Sequence, residues 1–292
     1  MDSIQEALVT FFCLLPLGVG SIVVLYRRGC LRADAMASGP DRALAGLRVG
    51  DVFVGLGLMF LGGGVYQAMV SAMGLPPPAT QAAGTPTAME QAQQALLAQA
   101  VVQLPAVLYV LGRVGLAGGW AGLKRVGVLS GRLGRDLRLA LAGLLVTLPL
   151  VLGVLSLATL LGLMFGQEAP AVGHELLQAM RKSTSPAGTA LLIVSAVGVA
   201  PVVEEVLYRG LLQTVLLRTI GPQHRWRVVL LAAMVFTAMH QVPWQALPGL
   251  LVLGVAVGWL YEKSGSLWPS IGVHAGFNAL NVAAVLLMPG LG

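Results

Sequence analysis

Three short clusters place ionisable and amide side chains inside apolar stretches of a 292-residue sequence. The first is PVVEEVLYRG, Pro201 to Gly210, with Glu204, Glu205 and Arg209. The second is FTAMH, which ends in His240, and the third is HAGFN, which carries His274 and Asn278. On a helix, residues four apart share a face, so Glu205 and Arg209 are spaced as an ion pair with the acid in the favoured N-terminal position. Glu204 is turned from Glu205 by about 100° and escapes that pairing. It shares its face with Tyr208, whose hydroxyl can orient it. His274 and Asn278 also share a face, and Phe236 is placed to wall His240 from lipid. The set is one free carboxylate, two imidazoles and one amide from three helices.

Two chemistries use such a set. In one, Glu204 takes a proton from water. His240, His274 and Asn278 then donate hydrogen bonds to the oxyanion of a tetrahedral intermediate. In the other, Glu204, His240 and His274 ligate a zinc ion that activates the water. The sequence lacks HExxH, the strongest signature of the zinc reading, so no cofactor is the favoured expectation. Each cluster alone also has a structural reading. A buried Glu–Arg pair can simply hold helices together, and a membrane histidine can bridge two of them. Convergence of all three clusters argues for chemistry.

The surrounding chain must be a membrane bundle. Hydrophobic residues make up 57% and charged residues 10%, against about a quarter charged in soluble domains. Mean hydropathy is +0.83. A helix needs ~20 apolar residues to cross a bilayer. Eight stretches qualify as candidates: 5–26, 51–74, 94–112, 139–165, 187–208, 228–243, 246–261 and 268–289. The sixth and seventh are short and joined by QVPWQA. The N-terminal stretch is acidic before its apolar run and basic after it, opposite to a secretory signal, and reads as a retained first span. The fold class is therefore all-α, a polytopic bundle of about eight spans. GVAVG, Gly254 to Gly258, is a small-xxx-small pattern and reads as a helix-packing face.

Basic residues set the orientation. Arg27, Arg28, Arg32, Arg42 and Arg48 follow the first span. Arg113, Lys124, Arg125, Arg132, Arg135 and Arg138 follow the third, Arg218, Arg225 and Arg227 the fifth, and Lys263 the seventh. These loops alternate, so the positive-inside rule puts them all in the cytoplasm. Arg181 and Lys182, in the 167–186 loop with Glu168 and Glu175, run against the rule. The Pro/Thr/Ala/Gln-rich 75–93 segment reads as a flexible outer loop. His174 and His224 fall in loops and read as solvated. Cys13 and Cys30 offer neither a disulfide framework nor metal spacing. Nothing interleaves basic and aromatic residues as nucleic-acid binding requires. With span five ending at 208, Glu204 and His274 sit near the basic ends of their spans, while His240 lies ~18 Å into span six. Their convergence then requires tilt, a cavity reaching mid-membrane, or shifted span boundaries.

The three clusters match, in order, the motifs EExxxR, FxxxH and HxxxN. With the approach GWLYEKSGSLWPSIGVHAGFN, the chain over residues 185–290 resembles the CPBP family of intramembrane proteases, which holds type II CAAX prenyl endopeptidases and bacteriocin-processing or self-immunity proteins. The resemblance implies a helical fold with an intramembrane cavity and peptide-bond hydrolysis in or beside the membrane. It implies Glu204 as the catalytic glutamate, His240, His274 and Asn278 as residues that position water and stabilise the oxyanion, and Glu205 and Arg209 as their support. It divides the chain into an N-terminal four-span region, 1–184, and a catalytic core, 185–292.

The expected partner is a peptide or protein substrate, lipidated or membrane-embedded, together with membrane lipid. The expected location is a bacterial inner membrane. A non-catalytic immunity or scaffold protein that binds a peptide in the same cavity is the alternative. A transporter using buried Glu and His as a proton relay lacks the internal repeat common in that class.

Overall fold

The computed structural model describes residues 2–32, 46–74, 88–167, 185–240 and 242–287. The described part is helical, with no strand among these residues. In chain order the helices are α1 (Asp2–Arg27), α2 (Val49–Ala72), α3 (Ala88–Ala98), α4 (Leu104–Arg125) and α5 (Leu133–Met164). They continue as α6 (Pro186–Ile193), α7 (Ala200–Glu205), α8 (Thr214–Ile220), α9 (Arg225–Ala238), α10 (Leu247–Ser264) and α11 (Leu267–Leu287). Single π-helical stretches join some of these into long rods. Gln99–Gln103 links α3 to α4, and Val194–Val199 and Val206–Gln213 link α6, α7 and α8. Seven helices among the described residues are long and apolar enough to cross a membrane, including Gln94–Arg125 and Pro186–Ile220. The chain is an integral membrane protein.

The sixth expected span differs. Helix α9 has 14 residues, about 21 Å of rise, short of a hydrocarbon core of about 30 Å. It ends before His240, whose backbone N–H closes a last turn on the Thr237 carbonyl. The fifth span also differs: it runs on to Ile220. Glu204 is therefore mid-rod, and the boundary shift supplies the convergence that the shorter span would have denied.

The four basic loops meet at one end of the bundle. Trp226 donates to the Leu31 carbonyl at 2.8 Å, and Arg218 to that of Leu47 at 2.9 Å. The Leu267 amide donates to Gly127 O at 3.0 Å, and Ser266 Oγ to Asp136 at 2.8 Å. Arg225 pairs with the fully buried Glu262 at 2.5 Å. Trp268, on the same end, is partly exposed, as interfacial tryptophans are. At the opposite end, Gln167 after α5 accepts from Trp244 Nε1 and Gln245 Nε2. The exceptional Arg181 and Lys182, with Glu168, Glu175 and His174, and most of the 75–93 loop lie outside the described residues.

Lipid is as apolar as the side chains, so helices here associate through close packing and polar contacts rather than expulsion of water. The small residue spacing in α10 shows both. A Cβ at Gly254 would stand 3.1 Å from Ala233 Cβ and 3.3 Å from Phe236 Cδ1. One at Gly258 would stand 3.0 Å from Gln213 Oε1. Both glycines thus let α9 and the Glu204-bearing rod approach the α10 backbone. The packing-face reading of GVAVG holds, and the contact is made within one chain. The main buried cluster is shared along the sequence: Val107, Val110 and Val114 of α4 pack with Val203, Val206 and Leu211 and with Tyr261 of α10. Helix α1 packs chiefly on α5 and is otherwise largely exposed to lipid. Gly254→Val should therefore push α9 off α10 and lower stability by about 1–3 kcal/mol, read as a depressed melting temperature in detergent.

Candidate active site

Pro201 is the local reason the Glu204 helix is irregular. A proline mid-helix has no N–H for the preceding turn. The preceding stretch is π-helical, and Ala200 N–H reaches back five residues to the Ser195 carbonyl. By that pattern Pro201 would meet Ala196 O and cannot. Asn278 supplies the missing donor, with Nδ2 at 2.8 Å from Ala196 O. The second π stretch, Val206–Gln213, carries Tyr208 and Arg209. Such bulges recur at functional sites.

Glu205 and Arg209 are both completely buried and pair at 3.0 Å, as their spacing predicts. The same Glu205 Oε1 holds His274 Nδ1 at 2.9 Å. Arg209 spends its second terminal nitrogen on the Gly254 carbonyl at 3.0 Å. Its guanidinium carbon lies 4.8 Å from the centre of the Phe236 ring. Phe236, itself fully buried, is the hub of the aromatic groups. The His240, Tyr208 and His274 rings lie 4.5, 5.2 and 5.7 Å from it.

Glu204 points the other way, as expected. Its Oε2 lies 3.8 Å from His240 Nε2 and 3.8 Å from His274 Nε2. That oxygen is buried and has no hydrogen-bond partner among the described residues. At that separation neither histidine is hydrogen-bonded directly to Glu204 Oε2. The three sequence clusters therefore meet at one point. His240 lies outside regular helix. Non-helical backbone at membrane depth is tolerated where it is buried in protein or lines a wet cavity.

The second ring nitrogen of each histidine fixes what the first can do. His240 Nδ1 lies 2.7 Å from the Phe236 carbonyl, which can only accept. His274 Nδ1 faces the carboxylate that Arg209 neutralises. Both Nδ1 atoms therefore carry a proton, and each ring turns its Nε2 towards Glu204. Such a donor set is chemically suited to zinc, with Glu204, His240 and His274 as ligands. Ligands at 2.0–2.2 Å in a tetrahedral shell stand about 3.4 Å apart, and 3.8 Å is wider. No group of three such side chains among the described residues is placed to hold a metal ion.

Several supporting groups were not legible as such. Gly254 O, Ala196 O and the Gln213–Glu262–Arg225 chain all act as anchors. Gln213 Nε2 donates to Gly258 O at 3.0 Å and Glu262 Oε1 at 2.8 Å. The signal was present as a matched period of four: Glu205, Arg209 and Gln213 on one rod face Gly254, Gly258 and Glu262 on α10.

Residues 186–280 match the family model described as type II CAAX prenyl endopeptidase Rce1-like. No curated protein and no solved structure matches the chain. The matched segment contains all three clusters and supports an intramembrane endopeptidase of the CAAX type.

Removing the arginine alone would strand the Glu205 charge in an apolar interior. Arg209→Met should cost about 3–5 kcal/mol. Glu205→Gln/Arg209→Met should recover much of that loss, as measured by denaturation of the purified protein in micelles.

Proposed function

We propose that the Rce1-like segment, residues 186–280, hydrolyses a peptide bond of a lipidated or membrane-embedded substrate by glutamate-activated water. The observation that supports this most directly is the buried, unpartnered Glu204 Oε2, equidistant from two imidazole nitrogens.

A water at that point donates to Glu204 and surrenders a proton as its oxygen attacks the carbonyl carbon. The carbonyl electrons move onto oxygen. When the tetrahedral species collapses, the C–N bond breaks and Glu204 returns the proton to the leaving amine. One water is consumed, and an acid and an amine are formed. The oxyanion needs hydrogen-bond donors, and the two imidazoles and the Asn278 amide are the groups placed beside Glu204 to supply them.

Glu205 holds His274 in that position through its other nitrogen. Asn278 keeps one amide hydrogen after serving Ala196 and is the remaining candidate donor. Glu205 and Arg209 hold His274 and the rod in place. Tyr208 and Phe236 complete the wall. The zinc reading would use the same three donors, and the chelator test below separates the two chemistries.

Glu204→Gln should lower cleavage of fluorogenic peptides in liposomes by about 10²–10⁴-fold while leaving the melting temperature near that of the parent. Equal turnover would remove Glu204 from the reaction. Peptide binding that survives in a chain with no turnover at all would favour the immunity or scaffold reading. Cleavage should also withstand 1,10-phenanthroline, and a loss restored by added zinc would reverse the choice between the two chemistries.

A further inference from the structure

His240 owes its orientation to the place where α9 stops. In a continuing helix its N–H would take the Phe236 carbonyl, four residues back. Instead that N–H turns to Thr237 O at 3.2 Å, and the ring Nδ1 lies 2.7 Å from the Phe236 carbonyl so released. The imidazole is therefore seated by the chain leaving the helix at this point. What holds the chain on its new course lies further on. A short 3₁₀ turn, Trp244–Ala246, follows, closed by the Ala246 N–H on Pro243 O at 2.9 Å. A lone turn fixes several residues for one hydrogen bond, so its position must come from contacts outside it.

Two such contacts converge on one atom. Gln167 Oε1 accepts from Trp244 Nε1 at 2.7 Å and from Gln245 Nε2 at 3.1 Å. Gln167 is itself fixed by the way α5 ends. Gly166 takes a φ of 72°, a conformation that glycine adopts without strain. Its N–H donates to Leu163 O at 3.1 Å, and that of Gln167 to Gly162 O at 3.0 Å, the paired bonds of a Schellman end. Gly162 serves a second purpose. Gln245 is buried, and a Cβ on Gly162 would stand 3.3 Å from its Nε2. The stretch GLMFGQ, 162–167, thus builds a rigid acceptor and clears the space beside it for one of the two donors. Two donors from successive residues on one fixed oxygen set both the position and the orientation of the turn.

We infer that Gln167 is a positioning residue for His240. It acts through Trp244 and Gln245, holding the far end of the α9–α10 connection so that the chain leaves α9 where the imidazole can turn its Nε2 towards Glu204. His274 has its own support in Glu205, so different parts of the chain place the two histidines. Gln167 lies outside the Rce1-like segment, 186–280, and through it the N-terminal region enters the geometry of the site. The effect on turnover rests on the protease reading, whereas the placement of the ring does not.

The experiment follows the imidazole Cε1–H proton resonances of the full chain in micelles, with His240 and His274 assigned by His240→Gln and His274→Gln. Turnover of fluorogenic peptides in liposomes is measured beside it. Gln167→Met removes the acceptor, and Gln167→Glu keeps one. In Gln167→Met the His240 resonance should shift or broaden while that of His274 stays. Its kcat should fall about 10–100-fold, with KM within about twofold of the parent. Gln167→Glu should restore the resonance and most of kcat. Trp244→Phe keeps a ring but removes the indole donor. It should give a smaller shift of the same kind that adds nothing to Gln167→Met, and it carries the test if Gln167→Met folds poorly. An unmoved His240 resonance in the folded variants overturns the inference whether or not kcat falls, and so does a change that moves His240 and His274 together. The expected His240 shift in a chain whose parent form never cleaves would instead overturn the protease reading and leave this inference standing.

Discussion

The buried Glu205–Arg209 pair is the constraint on which the rest of the site depends. Two charges without access to solvent are tolerated only when paired and hydrogen-bonded. The pair itself occupies one oxygen and one nitrogen. Everything else it needs must come from neighbouring helices. Helix α10 supplies the Gly254 carbonyl, and α11 supplies His274. Helix α9 supplies the Phe236 ring over which the guanidinium lies. One ion pair thus sets the relative depth of four helices. Gly254 eases the close approach of α10 to α9, because a Cβ there would stand 3.1 Å from Ala233 Cβ.

The same pair explains why Glu204 is left outside the ion pair. Adjacent residues on a helix point about 100° apart, so the carboxylate next to the one that is fully committed faces a different space. That space is bounded by the two imidazoles, and each has its outer nitrogen already engaged. His274 is fixed through Glu205 and His240 through the Phe236 carbonyl. An orienting partner on the far nitrogen decides which tautomer faces the reacting atoms. Here it turns both Nε2 atoms towards the same Glu204 oxygen.

Much of this was readable from residue types and intervals. The apolar runs located the bundle, because a membrane solvent demands long unbroken helices. The interval of four predicted the Glu205–Arg209 pair, and the 100° offset predicted that Glu204 would face elsewhere. What escaped was of two kinds. The length of the fifth rod was hidden because Arg209 and Gln213 look like the end of an apolar segment, yet both are buried against α10. The π stretches were hidden because they arise from backbone accommodation, as at Pro201, and leave no periodic mark. Asn278 illustrates the result. The sequence offers its amide to an oxyanion, whereas the fold first uses it to satisfy Ala196 O.

The N-terminal region shows why a motif-based reading stops short. No recognisable pattern marks residues 94–114, but α4 shares the main buried cluster with the Glu204 helix and brings Gln99 against the Ser195 carbonyl. Motifs record groups whose chemistry demands a fixed residue type. A helix that holds the Glu204 rod at its depth needs only apolar packing and an amide contact, which many residue types supply, so it leaves no motif in the sequence.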